Sequence, residues 1–237
     1  MENLILKNDA NVDEAFVSKI IGQAGLNKGK ILLRLMDGYL PDNTAGNTLP
    51  RSLLKYAQDF HIFDNYLDLD WEIGIAISKR YCLSYNSYPA YFSYLLGHEL
   101  GHATVCVNDL DLHVFYCLIQ EHIKHASEGN ISSWHELPHE IIFDQFGLYI
   151  AEMLFGRERI DHEIRLLLGD HSREDLARLK LMLSLRGSKD LGRLWVDLLD
   201  FTKPYKGKLI ESWEESVLVL GDGSLASYFD NINHLFD

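Results

Sequence analysis

Two histidines four residues apart, with a glutamate directly after the first, stand in the run His98-Glu99-Leu100-Gly101-His102. Four residues of α-helix advance by about 400°, so the two imidazoles emerge roughly 40° apart on one face, one turn above the other. Both rings can then close on a single metal ion. Glu99 is rotated by about 100° from His98, which sets its carboxylate beside such an ion, where it can take a proton from a bound water. Zinc suits these donor types, because it accepts imidazole nitrogen and carboxylate oxygen and lowers the pKa of bound water to about 7.

The same pattern recurs at His135-Glu136-Leu137-Pro138-His139, and Pro138 separates the two. Proline lacks an amide hydrogen, disfavours helical geometry at Leu137 and would clash with the carbonyl of Trp134 in a continuous helix. His135 and His139 are therefore not expected to stand one turn apart. In the first match Gly101 is the only weak helix former, and its cost of about 1 kcal/mol is tolerable in a packed helix.

A catalytic zinc needs a further protein donor. Proline is favoured in the first turn of a helix, so residues 138–155 are predicted to form one, with Glu140 and Asp144 a turn apart on one face. Ile141, Leu148, Ala151 and Phe155 line a broadly apolar side of it. Glu140 is the expected third ligand, with Glu136, His135 and His139 as alternatives. Asp144 is expected to accept the free ring N–H of a ligating histidine and so fix its tautomer. The helix dipole favours a first-turn glutamate without any metal, but it does not explain a carboxylate in mid-helix among apolar neighbours.

His98-Glu99-x-x-His102 followed by Glu140-x-x-x-Asp144 resembles the gluzincin metallopeptidases, whose thermolysin branch carries the same Glu-x-x-x-Asp arrangement on a downstream helix. Small bacterial cytosolic versions, the ImmA/IrrE-type regulatory proteases and the phage-exclusion peptidases, are similar in the same residues. The resemblance covers two helices only, and the chain shows no clear helix-turn-helix segment of the regulator type. It implies a zincin-like core and zinc-dependent peptide hydrolysis, with His98, His102 and Glu140 on the metal and Glu99 acting through water.

Other elements must position these residues. Tyr88 to Val107 reads as a helix that is apolar on most sides and hence central. Before it, Trp71 to Ser78 has large apolar residues at 71, 73, 75 and 77, the period of a half-buried strand. In zinc peptidases an edge strand beside the site commonly pairs with an extended substrate; that role and a purely structural one are both open for this strand. Lys30 to Met36 is a short apolar strand ending at Asp37-Gly38, Pro41 to Asn47 an exposed loop, and Arg51 to Phe60 a short helix. Residues 12–25 form a packing helix with a stripe of Phe16, Ile20, Ile21 and Ala24, capped by Asn11, with Asp13 and Glu14 in its first turn.

Downstream, a helix is expected from Asp111 to Ala126, and Ser127-Glu128-Gly129-Asn130 breaks the pattern. Beyond Gly156 the chain turns helical and charged. Ser172-Arg173-Glu174-Asp175 resembles a capping box opening a helix to Leu185, a further helix runs from Ser188 to Phe201, and short helices fill 208–237. The pairs His102/Cys106 and His113/Cys117 share a spacing that could suit a structural metal, but core packing accounts for them. The expected fold class is α+β, predominantly helical, with a small sheet packed on the His98 helix. A metallopeptidase core at 1–156 would carry a helical extension at 157–237.

Composition narrows the function. A chain of 237 residues, 47% hydrophobic and 24% charged, can bury a substantial core and is that of a soluble globular protein. Its net charge of −13 opposes binding to nucleic acid or anionic membranes, which requires clustered Lys and Arg, and favours a polypeptide or small-molecule partner. The N-terminal residues lack a basic stretch followed by a long apolar one, so no secretory signal is expected. No run approaches the roughly eighteen apolar residues that span a bilayer. Cys82, Cys106 and Cys117 include no Cys-x-x-Cys pair, so a reducing cytoplasm fits better than a disulfide framework. The reading is a zinc peptidase with a polypeptide substrate, the alternative a metal-binding but inactive scaffold. Tyr149, His162, His171 and Tyr205 are candidate donors to the oxyanion.

Overall fold

Two apolar pentads, Ile31-Leu32-Leu33-Arg34-Leu35 and Ile73-Gly74-Ile75-Ala76-Ile77, lie side by side as parallel strands in the middle of a four-stranded sheet. The structure is a computed structural model that describes residues 3–26, 29–40, 45–56, 61–108, 113, 138–168, 196–198 and 200. Its strands are β1 (Leu4–Asn8), β2 (Ile31–Leu35), β3 (Gly46–Pro50) and β4 (Ile73–Ile77), in the order β1-β2-β4-β3. The first three of that order run parallel, and β3 lies antiparallel to β4 at the edge. The described helices are α1 (Glu14–Ala24), α2 (Lys79–Ser84), α3 (Pro89–Asn108), α4 (Pro138–Phe155) and α5 (Arg157–Leu168), with 3-10 turns at Arg51–Tyr56 and His61–Tyr66. The class is α+β and mostly helical, with the sheet packed on α3.

Both central strands are covered on two faces. Ile31, Leu33, Leu35, Ile73, Ile75 and Ile77 share the main core with α1 and α3. Leu32 and Ala76 belong to a second cluster with Phe63, Trp71, Met36 and Leu40. The strand expected to be half-buried is therefore buried throughout, because the segment between β3 and β4 folds over its other face. Gly74 makes room for that cover: a Cβ there would lie 2.7 Å from the Phe63 ring. Pairing with β2 on one side and β3 on the other takes β4 out of the edge role.

Two local expectations are corrected. Gly46 and Asn47, read as the end of a loop, open strand β3. Asn11 does not cap α1; it turns through a positive φ of 55°, a conformation asparagine tolerates better than most residues. The cap is Asp13, whose carboxylate accepts from the Ala15 amide at 2.9 Å. Asn8 braces the turn, donating to the Val12 carbonyl at 2.6 Å and accepting from its amide at 2.9 Å. Strand β1 was not anticipated. The expected helix at 111–126, apart from His113, and the helix at 172–185 lie outside the described residues, while 196–198 and 200 are helical.

Helix α3 is buried continuously from Ala90 to Cys106. Its first turn is held from outside: the Glu163 carboxylate on α5, itself 1% exposed, accepts from the Tyr91 amide at 2.9 Å. This satisfies one of the amides that a helix start leaves without a partner and places negative charge at the positive end of the dipole. Arg159, one turn before it, pairs with the same carboxylate.

Helix α4 crosses α3 at two glycines. A Cβ on Gly97 would lie 3.0 Å from Gly147 Cα, and one on Gly147 would lie 2.4 Å from the Tyr94 carbonyl oxygen. In Gly147→Ala the gain in helix propensity, about 1 kcal/mol, is opposed by overpacking that costs roughly 1–3 kcal/mol or more. The clash is with backbone, which cannot swing aside, so overpacking wins. We expect the urea midpoint of Gly147→Ala to fall; an unchanged or higher midpoint would show that the helices have room to separate.

Candidate metal centre

The crossing of α3 and α4 brings three donor atoms to one point. His98 Nε2 and His102 Nε2 are 3.1 Å apart, and Glu140 Oε2 is 3.1 Å from the first and 3.6 Å from the second. A tetrahedral zinc with bonds of about 2.0–2.1 Å holds its donors roughly 3.3–3.4 Å apart. The three observed separations bracket that edge length. His98, His102 and Glu140 are each 8–9% exposed, and Phe143 stacks on the His102 ring at a centroid distance of 3.8 Å. Chemistry also favours a cation here. A carboxylate only accepts hydrogen bonds and a neutral imidazole carries one lone pair, so electron pairs face one another unless a proton or metal stands between them.

Behind this cluster, His98 Nδ1 donates to Asp144 Oδ1 at 2.9 Å. An ionised carboxylate cannot donate in return, so the hydrogen is on Nδ1 and the Nε2 lone pair is left for a metal. Asp144 is 2% exposed, and the same oxygen accepts from the Tyr94 hydroxyl at 2.5 Å. Burial alone would push the His98 imidazole down, but Asp144 and Glu140 overcome it and hold its pKa well above the ordinary value.

Glu99, next to His98, reaches the sheet. Its Oε2 accepts from the Thr48 hydroxyl on β3 at 2.6 Å, and that hydroxyl also lies 3.1 Å from the Glu99 carbonyl. Gly46 allows the approach, since a Cβ there would sit 2.6 Å from Glu99 Oε1. The base candidate is thus pinned between its own helix and the edge strand.

The remaining sequence candidates are dispersed. Tyr149 is partly buried against the main core, His162 is exposed on α5, and His171 and Tyr205 lie outside the described residues, as do His135 and Glu136. Cys106 is buried in the main core, and Cys117 is not among the described residues. His113 is buried, and desolvation, with His102 adding to it, pushes its imidazole down to about 3, so it is neutral at pH 7.

Sequence reasoning did not single out Tyr94, Thr48 or Gly46. Tyr94 had a usable signal, because Tyr94, His98 and His102 follow a four-residue spacing along one helix face. Thr48 and Gly46 had none, because β3 reaches Glu99 only through the sheet. The chain matches no protein-family profile, no curated protein and no solved structure. Among the described residues no helix is long and apolar enough to cross a membrane.

The raised His98 pKa gives the metal-free protein a pH signature. A group whose folded pKa exceeds its unfolded value contributes stability that is fully present below the unfolded value, near 6.5, and lost as pH rises through the folded one. We expect the urea midpoint of metal-free protein to fall through this window above pH 6.5 relative to His98→Gln. Equal pH profiles for the two proteins would contradict the assignment of that proton to His98.

Proposed function

We propose that this chain is a zinc-dependent peptidase of the gluzincin type, with a zincin-like core and a polypeptide substrate. The observation that carries the reading is the spacing of His98 Nε2, His102 Nε2 and Glu140 Oε2, with Asp144 fixing the His98 tautomer behind them. Zinc bound there would supply Lewis acidity, polarising a carbonyl and easing deprotonation of a bound water. Glu99 takes that proton and passes it to the leaving amine, so the bond to carbon forms and the C–N bond breaks without a free hydroxide or amide anion. Thr48 and Gly46 hold the Glu99 carboxylate in one position through the transfer.

A polypeptide substrate is supported by β3, which lies antiparallel at the sheet edge and beside Glu99. An extended peptide can add to such an edge through backbone hydrogen bonds. Past the end of β3, a cleft of about 440 Å³ between Pro50, Trp71, Ile73 and Cys106 offers room for a side chain, with Arg51 and Glu72 at its border. The buried free thiol of Cys82 fits a reducing cytoplasm as the proposed location. Desolvation pushes the Cys82 thiol up to about 12, which keeps it unreactive.

The test separates metal binding from catalysis. Purified protein should hold about one equivalent of zinc, and His102→Ala should lose it. Glu99→Gln should retain the metal while cleavage of a peptide library falls by roughly 10²–10⁴-fold. Zinc-free wild-type protein would refute the site. Cleavage that survives Glu99→Gln would refute the mechanism. Bound zinc with no cleavage of any peptide would favour an inactive scaffold.

A further inference from the structure

Taking the proposed metal site as its basis, we infer that Tyr94 is a positioning residue of that centre: its hydroxyl, acting through Asp144, holds His98 in the orientation that turns Nε2 toward the ion. The geometry is a chain of contacts behind the ligand. Tyr94 Oη is 2.5 Å from Asp144 Oδ1, and His98 Nδ1 is 2.9 Å from the same oxygen. One carboxylate oxygen thus receives two donors from one helix, spaced a single turn apart. Two donors fix that oxygen in two directions, so removing one widens the range of orientations open to it and to the imidazole that it holds.

The phenol is itself held. Its ring packs against Tyr91 at a centroid distance of 5.7 Å. Helix α4 closes over it where an added Cβ on Gly147 would lie 3.1 Å from Tyr94 Cδ2. Tyr94 and Asp144 are 1% and 2% exposed, so water does not stand ready to replace a missing donor. A shared donor also draws charge from the carboxylate and weakens it as an acceptor for the His98 proton. That effect runs against metal affinity, but orientation dominates in a closed pocket, because a misdirected lone pair loses the bond outright. A purely structural hydroxyl would instead change folding stability and leave metal affinity untouched.

Zinc dissociation constants measured by competition with a chromophoric chelator decide between the two roles. Relative to wild type, Y94F should bind zinc about five- to tenfold more weakly, and D144A about 10–100-fold more weakly. The double variant should match D144A within about twofold, since the hydroxyl acts through a carboxylate oxygen that alanine lacks. An unchanged zinc constant in Y94F, or additive losses in the double variant, would overturn the inference while leaving the metal site standing. Wild-type protein that binds no zinc would overturn both. Should Y94F prove too unstable for titration, the rise in its melting temperature on saturation with zinc reads the same affinity. A smaller rise than in wild type supports the role, and an equal one refutes it.

Discussion

The approach of α3 and α4 at Gly97 and Gly147 is the constraint on which the site depends. Aspartate has a short side chain, and Asp144 reaches His98 Nδ1 only because the helix axes close on backbone rather than on a layer of side chains. From that crossing α4 runs back along α3, so that Asp144 meets His98, and Glu140, one turn earlier, meets both His98 and His102. Phe143 and Phe146 fill the space beside Gly101, where a Cβ would lie 3.0 Å from each ring. Small residues on one helix and large ones on the other thus fix the separation and the register together.

That packing confines charge. Glu140 and Asp144 are buried carboxylates beside two buried imidazoles, an arrangement that folding alone does not favour. Removing ions from water costs several kcal/mol each unless they are paired with good geometry. Hydrophobic side chains would fill the same volume at less cost. A buried cluster of this kind, sitting on a helix otherwise apolar on most sides, marks a place where the sequence departs from what stability asks. A divalent cation would resolve the conflict, since it would satisfy the facing lone pairs and offset the carboxylate charge at once.

The sheet contributes a different constraint. Parallel strands β1, β2 and β4 need both faces covered, and α3 on one side with the Phe63–Trp71 cluster on the other supplies that cover. Strand β3 lies antiparallel to β4 at one edge of the sheet, and it touches the base candidate through Thr48. The Glu99 carboxylate is therefore held by an edge strand. Two turns before the motif, Glu163 fixes the helix start, so α3 is held both there and at Glu99.

Much of this was legible in the residue order. The helix bearing His98 and His102 follows from a long apolar run that begins at Pro89, and α4 follows from a proline that can only open a helix; both were read within a residue or two of their observed limits. Facing of Glu140 and Asp144 follows from helical period, which is a local property. Whether those carboxylates meet the imidazoles is not local, because it depends on how closely two helices distant in sequence approach, and that distance is set by glycines whose partners no period reveals. The same holds for β3 and β4. Alternation along β4 was read as one dry face and one wet, yet the wet face is covered by Phe63 and Trp71, and strand order, which decides the edge, exists only in the assembled sheet. Short-range geometry is written in neighbouring residues; contact across the chain is decided by packing.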